Sequence, residues 1–372
     1  MIIIIKVKIK LFVEFFKTKI MKHFFFNTTK LTIVFALFGM TFFTNCEKDE
    51  TEDLNNETLI EKGQGVFVIN EGAFQNENSS LGYIDNVSGE VHNDLFYEIN
   101  DRFLGDVFQS MKIINNNAYL VINNSGVIEI TEPETVEHVA TIEGFTSPRH
   151  ILPVDETTAY VTDLFAGKIW IVDLSEHSIE SEIEFPGGWS EAMMKTEHGV
   201  FVTAPNANKV YTIDPSTHTV TDSLEVFPQP NSMVTDKNGM VWVLSGGTWD
   251  GEVGGLTAIN PGTFEISTEI QFAENSGSAS DLTINPAGNK LYYIAGNIWE
   301  FSIEESQLQS EPFIESQGEV FYGLGICPLA NDIYATDAMD FNQKGKVIKY
   351  SSQGVEIESF DAGIVPSGFL FY

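Results

Sequence analysis

Ser147, His150 and Asp163 lie close together in the chain and carry the side-chain types of a nucleophile, a base and an orienting acid. No nucleophile-elbow signature surrounds Ser147, so the three residue types alone form no specific motif. Two acid pairs expected on loops, Asp250 with Glu252 and Asp337 with Asp340, have the chemistry of glycoside cleavage or calcium binding. They lack the run of alternating oxygen ligands that a calcium loop needs, and solvated charge is the simpler reading. None of the seven histidines pairs with another at metal-ligand spacing. The two cysteines, Cys46 and Cys327, support neither a thiolate cluster nor a disulfide framework. These residues favour a protein that binds over one that catalyses, with no metal and no cofactor.

A second set has the chemistry of recognition. Phe74, Phe165, Trp189, Trp249, Tyr322 and Phe341 are interspersed with Asn76, Asn124, Asn206, Asn231 and Asp250 in polar, turn-rich segments. Rigid rings that each cover about 150–250 Å², set among adaptable amides, suit a large, amide-rich, partly planar ligand. Taken singly, each ring could pack back onto the scaffold and each Asn could serve a turn. Their clustering is what suggests a site.

Strands must position these residues. From Gly65 onward the chain repeats one phrase, clearest in Tyr160-Val161-Thr162, then Lys168 to Asp173 ending in Val-Asp, then Ile179 to Ile183. Alternation and β-branched content mark strands, with Asn, Gly, Asp and Ser clusters as turns between them. The aromatic of the first strand in each phrase falls at Phe67, Tyr119, Tyr160, Phe201, Trp242, Tyr292 and Tyr334, at intervals of 52, 41, 41, 41, 50 and 42 residues. A period of about 40–45 residues signals a propeller blade, so seven anchors predict an all-β, seven-bladed β-propeller over residues 63–372. The first unit lacks an inner strand, and Pro366 to Tyr372 reads as one, predicting a ring closed by the C-terminal segment. The long second-to-third-strand loops Glu71 to Ser80, Gly246 to Gly255 and Ala338 to Lys344 then share a face with the blade-to-blade loops, and the aromatic and amide set lies there.

Tyr160-Val161-Thr162-Asp163 and its counterparts resemble the YVTN-type propeller repeat. Asn70-Glu71-Gly72, Ser80 to Asp85, Gly89-Glu90-Val91 and Leu104 to Val107 resemble the BtuG-type surface lipoproteins of Bacteroidetes. That resemblance implies binding of cobalamin or a related corrinoid and its delivery to a TonB-dependent outer-membrane transporter. A propeller-scaffold enzyme, a polysaccharide lyase or glycosidase, is the alternative, and a protein-interaction platform is a third.

The charge fits an extracytoplasmic surface. The chain carries a formal charge of −33, and residues 46–372 hold 13 basic against 52 acidic residues. Such a balance excludes nucleic acid and electrostatic docking on anionic lipid. Ahead of it, Met21-Lys22-His23, the apolar stretch Leu31 to Phe43 and Phe43 to Cys46 read as a signal peptide over residues 1–45, with translation expected to start at Met21. Phe43 to Cys46 resembles a lipobox, which implies a lipidated Cys46. Glu47-Lys48-Asp49-Glu50 resembles the surface-export signal of Bacteroidetes lipoproteins, which implies the outer face of the outer membrane. Residues 46–62 would be a polar tether, leaving the lipid as the membrane contact.

Overall fold

The computed structural model describes residues 60–274 and 277–372. The signal segment, Cys46 and most of the expected tether lie outside the described residues. Among the described residues, no helix is long and apolar enough to cross a membrane.

The chain folds as a seven-bladed β-propeller. Blade 2 shows the plan: Phe108–Ile114 innermost, then Asn117–Ile122, Val127–Thr131 and His138–Glu143, each antiparallel to the last. The anchor aromatics all lie on second strands, and none is more than 3% exposed. Their neighbours pack from blade to blade: Phe67, Leu81 and Tyr83 of blade 1 meet Leu120 and Ile122 of blade 2, and Tyr334 and Val347 of blade 7 meet Val66 and Val68 of blade 1. No blade buries its faces alone, so the ring is the cooperative unit.

Closure follows the expected route. Pro366–Phe371 pairs antiparallel with Gly65–Asn70 and so becomes the inner strand of blade 1. Gly363 donates its N–H to Asn70 Oδ1 at 3.0 Å, tying blade 7 to the same seam.

Two elements differ from the repeat. The segment expected as a plain loop after blade 1 contains a helix, Leu95–Asn100, because Leu95 and Phe96 are buried in the core and the Asn100 side chain bonds to Val136 O and His138 N. Blade 6 has three strands; beyond Asn297–Ser302 a single bridge between Ile298 and Ile314 stands where an outer strand would run. The intervening Glu304, Glu305, Gln307, Gln309 and Pro312 have neither apolar alternation nor a full set of N–H donors.

The Asp that ends many third strands serves the opposite face. Asp85 and Asp173 each accept N–H groups two and three residues onward, closing the turn to the outer strand.

Candidate functional site

A cavity of about 940 Å³ opens at the mouth of the central channel, near the upper end of the size range of small-molecule sites, about 300–1,000 Å³. It is lined by the mouth ends of the inner strands and by the loop after the first strand of the chain, with Glu71, Ser110, Arg149, Glu191, Ser232, Asp281 and Tyr322 each from a different blade or its entry.

These side chains reach the cavity because the strands that carry them are irregular. In six of the seven blades the pairing of inner and second strand shifts register at the mouth end, at Phe108/Ser110, Pro148/Ile151, Pro230/Ser232, Ser280/Thr283, Phe321/Leu324 and Ile69/Asn70. A bulge re-aims side chains and frees backbone N–H groups. In two of these blades the penultimate Thr of the second strand takes such a group, Thr162 Oγ1 from His150 N and Thr336 Oγ1 from Gly323 N; in blade 4, whose pairing is regular, Thr203 Oγ1 accepts from Ala192 N ahead of the inner strand. The residue after it secures the incoming loop, since Asp163 accepts from Thr146 N and Ser147 N, and Asp337 from Val320 N. The Thr-Asp ending of blades 3 and 7 thus secures segments next to the cavity-lining Arg149, His150 and Tyr322.

Glu71 is set by backbone on both sides. Its N–H donates to Val365 O and that of Gly72 to Ile364 O, both at 2.9 Å. Gly72 has φ +78°, and a Cβ there would lie 2.6 Å from the Ser79 nitrogen, so the turn requires glycine. Asp281 sits inside its bulge at φ +57°.

The charges divide into a satisfied pair and an unsatisfied one. Arg149 holds Glu191 through Nε at 2.9 Å to both carboxylate oxygens and Nη2 at 2.7 Å, and its Nη1 reaches Gln109 Oε1. Burial opposes the Glu191 charge, but Arg149 and His150 overcome it and hold the group at about 2. Burial dominates at Glu71, raising it to about 7 against the pull of Arg149 and of the Tyr322 hydroxyl, which donates at 3.3 Å. Burial also raises Asp281 to about 7, and Glu71 adds to that shift.

Of the residues expected to contact a ligand, Phe74, Asn76, Asn231, Tyr322 and Phe341 line this cavity. Tyr322 and Phe341 meet edge to face at 5.2 Å, while Phe74 is 64% exposed. Asn231 donates to Ala279 O and Asn76 to Phe74 O, each holding a loop. The others stand away from the cavity lining. Phe165 and Trp189 pack against one another at 5.7 Å, Trp249 is wholly exposed, Asp250 and Asn206 are exposed, and Asn124 donates to Asp106. The sequence reading missed Glu71, Arg149, Glu191 and Asp281 as site residues.

The alternative chemistries also resolve. Asp163 is committed to backbone N–H groups and Trp170 Nε1, Ser147 Oγ accepts from Asn123, and His150 Nε2 faces Glu191 at 3.6 Å, so no relay forms among Ser147, His150 and Asp163. Asp337 and Asp340 each cap turns. Among the described residues no group of three or more His, Cys, Asp or Glu could hold a metal.

A family model for a domain of unknown function, DUF5074, matches residues 64–371. The chain belongs to the DUF5074 family. No curated protein matches the sequence. The DUF5074 propeller is similar to a quinonprotein alcohol dehydrogenase-like protein from Bacteroides thetaiotaomicron, with 18% identity and a TM-score of 0.65 over 83% of this chain and 78% of that one. It is also similar to the periplasmic gluconolactonase of Pseudomonas aeruginosa, with 13% identity and a TM-score of 0.63 over 82% and 99% of the two chains. A putative 6-phosphogluconolactonase from Bacteroides fragilis shows 11% identity and a TM-score of 0.61 over 83% and 98%. At these identities the fold is what is shared. The expectation of a protein that does not catalyse is corrected by this comparison: the scaffold is one that enzymes use, and the absence of a sequence motif was no ground for excluding catalysis.

Proposed function

We propose that this DUF5074 propeller captures a large, amide-rich small molecule, cobalamin or a related corrinoid, over the mouth of its channel. From a lipid anchor on the outer face of the outer membrane it passes that ligand to a TonB-dependent transporter. The observation that carries the reading is the cavity of about 940 Å³, ringed by side-chain amides, hydroxyls and carboxyls and flanked by Phe74 and Phe341. Asn70-Glu71-Gly72, part of the BtuG-type resemblance, ends on this cavity through Glu71. Calorimetry of the protein with cyanocobalamin tests it. Binding heat is expected, with stabilisation of about 2.7 kcal/mol at a hundredfold excess over Kd. Phe341→Ala is expected to weaken binding by about 2 kcal/mol and Trp249→Ala hardly at all, since Phe341 lines the cavity, where a ligand would cover it, and Trp249 stands outside the lining. Absence of both heat and thermal shift at millimolar cyanocobalamin removes the reading.

A second reading is supported by Glu71 and Asp281. Carboxyls near 7 in one cavity suit a general base that takes a proton from water and a general acid that returns it. By analogy with the gluconolactonase, hydrolysis of a sugar lactone is the reaction to assay. The expected result is turnover of glucono-δ-lactone above its spontaneous rate, falling by about 10²-fold or more in Glu71→Gln; equal rates with and without protein dismiss it.

A further inference from the structure

The charged groups of the cavity are unevenly satisfied, and the imbalance defines what kind of ligand group fits there. Among the described residues of its lining Arg149 is the permanent cation, and there is no lysine. All three of its side-chain nitrogens are already engaged, Nε and Nη2 by Glu191 and Nη1 by Gln109. His150 also lines the cavity, and its Nε2 faces the same Glu191. An incoming carboxylate or phosphate would therefore find the positive charge neutralised and would meet Glu71 and Asp281 as well.

The acceptors are in the opposite condition. Glu71 takes a weak bond from the Tyr322 hydroxyl, 3.3 Å to one oxygen and 3.5 Å to the other, with the Ser367 hydroxyl as a second partner, and Asp281 has the hydroxyl of its neighbour Ser280. Both carboxyls keep lone pairs toward the cavity. Both are also built into place, Glu71 by the two backbone bonds that flank it and Asp281 by its bulge. A carboxyl carried on fixed backbone in a partly dry site favours selectivity, because a mismatched group placed against it leaves both without partners.

We propose that Glu71 and Asp281 select a ligand group that donates N–H hydrogen bonds, an amide or an ammonium, and exclude a carboxylate or phosphate from the same place. The inference rests on the reading that this cavity is the ligand site, and it holds for any ligand with that chemistry. Burial raises both carboxyls to about 7, so a bound donor restores the hydrogen bonding that solvent no longer supplies, whereas a bound anion requires both to stay protonated.

Two probes with one fluorophore separate the alternatives: dansylcadaverine ends in an ammonium, dansylglycine in a carboxylate. Titrated into the protein at pH 7.5 and 150 mM salt, dansylcadaverine is expected to bind about tenfold or more tightly, reflecting the cost of like-charge juxtaposition. In Glu71→Gln/Asp281→Asn that preference is expected to shrink to about threefold or less. The double variant removes two of 53 acidic residues, so a preference set by overall charge would survive it. Gln and Asn copy the shape of the protonated carboxyls, and an unchanged melting temperature checks that the fold is intact. Equal affinities in the parent protein, no binding of dansylcadaverine at millimolar concentration, or a preference that the double variant keeps would each overturn the inference. Failure of cyanocobalamin to bind, with the dansyl preference present and lost in the variant, removes the corrinoid reading and leaves this one standing.

Discussion

Arg149→Ala is expected to destabilise the propeller by about 3 kcal/mol in urea unfolding at pH 8, the low end of the range for breaking a buried ion pair. The cause is Glu191, 9% exposed, which loses the guanidinium that keeps it ionised. A carboxylate stranded in that position has burial, the largest influence on it, opposed by His150 without the guanidinium, and burial raises its affinity for a proton. The sign of the pH dependence follows. In the variant the native state binds a proton more tightly than the unfolded chain does, so stability recovers as pH falls toward 5 and declines as pH rises. Adding Glu191→Gln is expected to return most of the loss, since no charge is then left unpaired. A deficit under about 1 kcal/mol, or one that does not shrink at low pH, would show that solvent screens the pair as it does at a surface.

Removal of residues 365–372 is expected to abolish cooperative unfolding altogether. The deletion takes away the inner strand of blade 1, the partners of Val66 to Asn70, and the packing of Phe369 and Phe371 against Tyr334. What remains is an open ring with one strand edge unpaired and two blade faces wet. Differential scanning calorimetry should show a broad, low-enthalpy trace in place of a single peak. A truncated chain that melts in one sharp transition within a few degrees of the parent would mean that the seam contributes little.

The scaffold was legible in the sequence because its signals are periodic and redundant. Each of Tyr119, Tyr160, Phe201 and Trp242 stands in a short run on a second strand buried along nearly all its length, and the interval between them left little freedom in register. The closing strand was legible for the complementary reason that blade 1 began without one. The helix Leu95–Asn100 was not, since six residues make under two turns and Asp94 forms no side-chain cap.

The site was less legible than the fold, for a physical reason. Alternation identifies which side of a regular strand a residue faces, and the cavity is built from places where the strands are irregular. Arg149 and Asp281 lie at bulges, and Glu71 lies one residue past a strand end. The available clue was the Thr before the terminal Asp in Tyr160 to Asp163 and Tyr334 to Asp337, a hydroxyl with no need to be on a buried strand unless a backbone donor opposite it lacks a partner. Loop aromatics were conspicuous in the sequence, but a loop tip such as Trp249 is conspicuous wherever it points.

The pairing of Gly65–Asn70 with Pro366–Phe371 also governs when the protein can first hold anything. Nearly the whole chain separates the two strands, so their meeting is the contact of greatest loop-closure cost and belongs late in folding. Glu71 hangs from that seam by its bonds to residues 364 and 365. A growing chain can therefore stack blade upon blade during synthesis while its mouth stays unformed, and the cavity arises in one step when the final segment docks. The cavity is thereby confined to finished molecules, and a chain cut short at its end has no complete mouth.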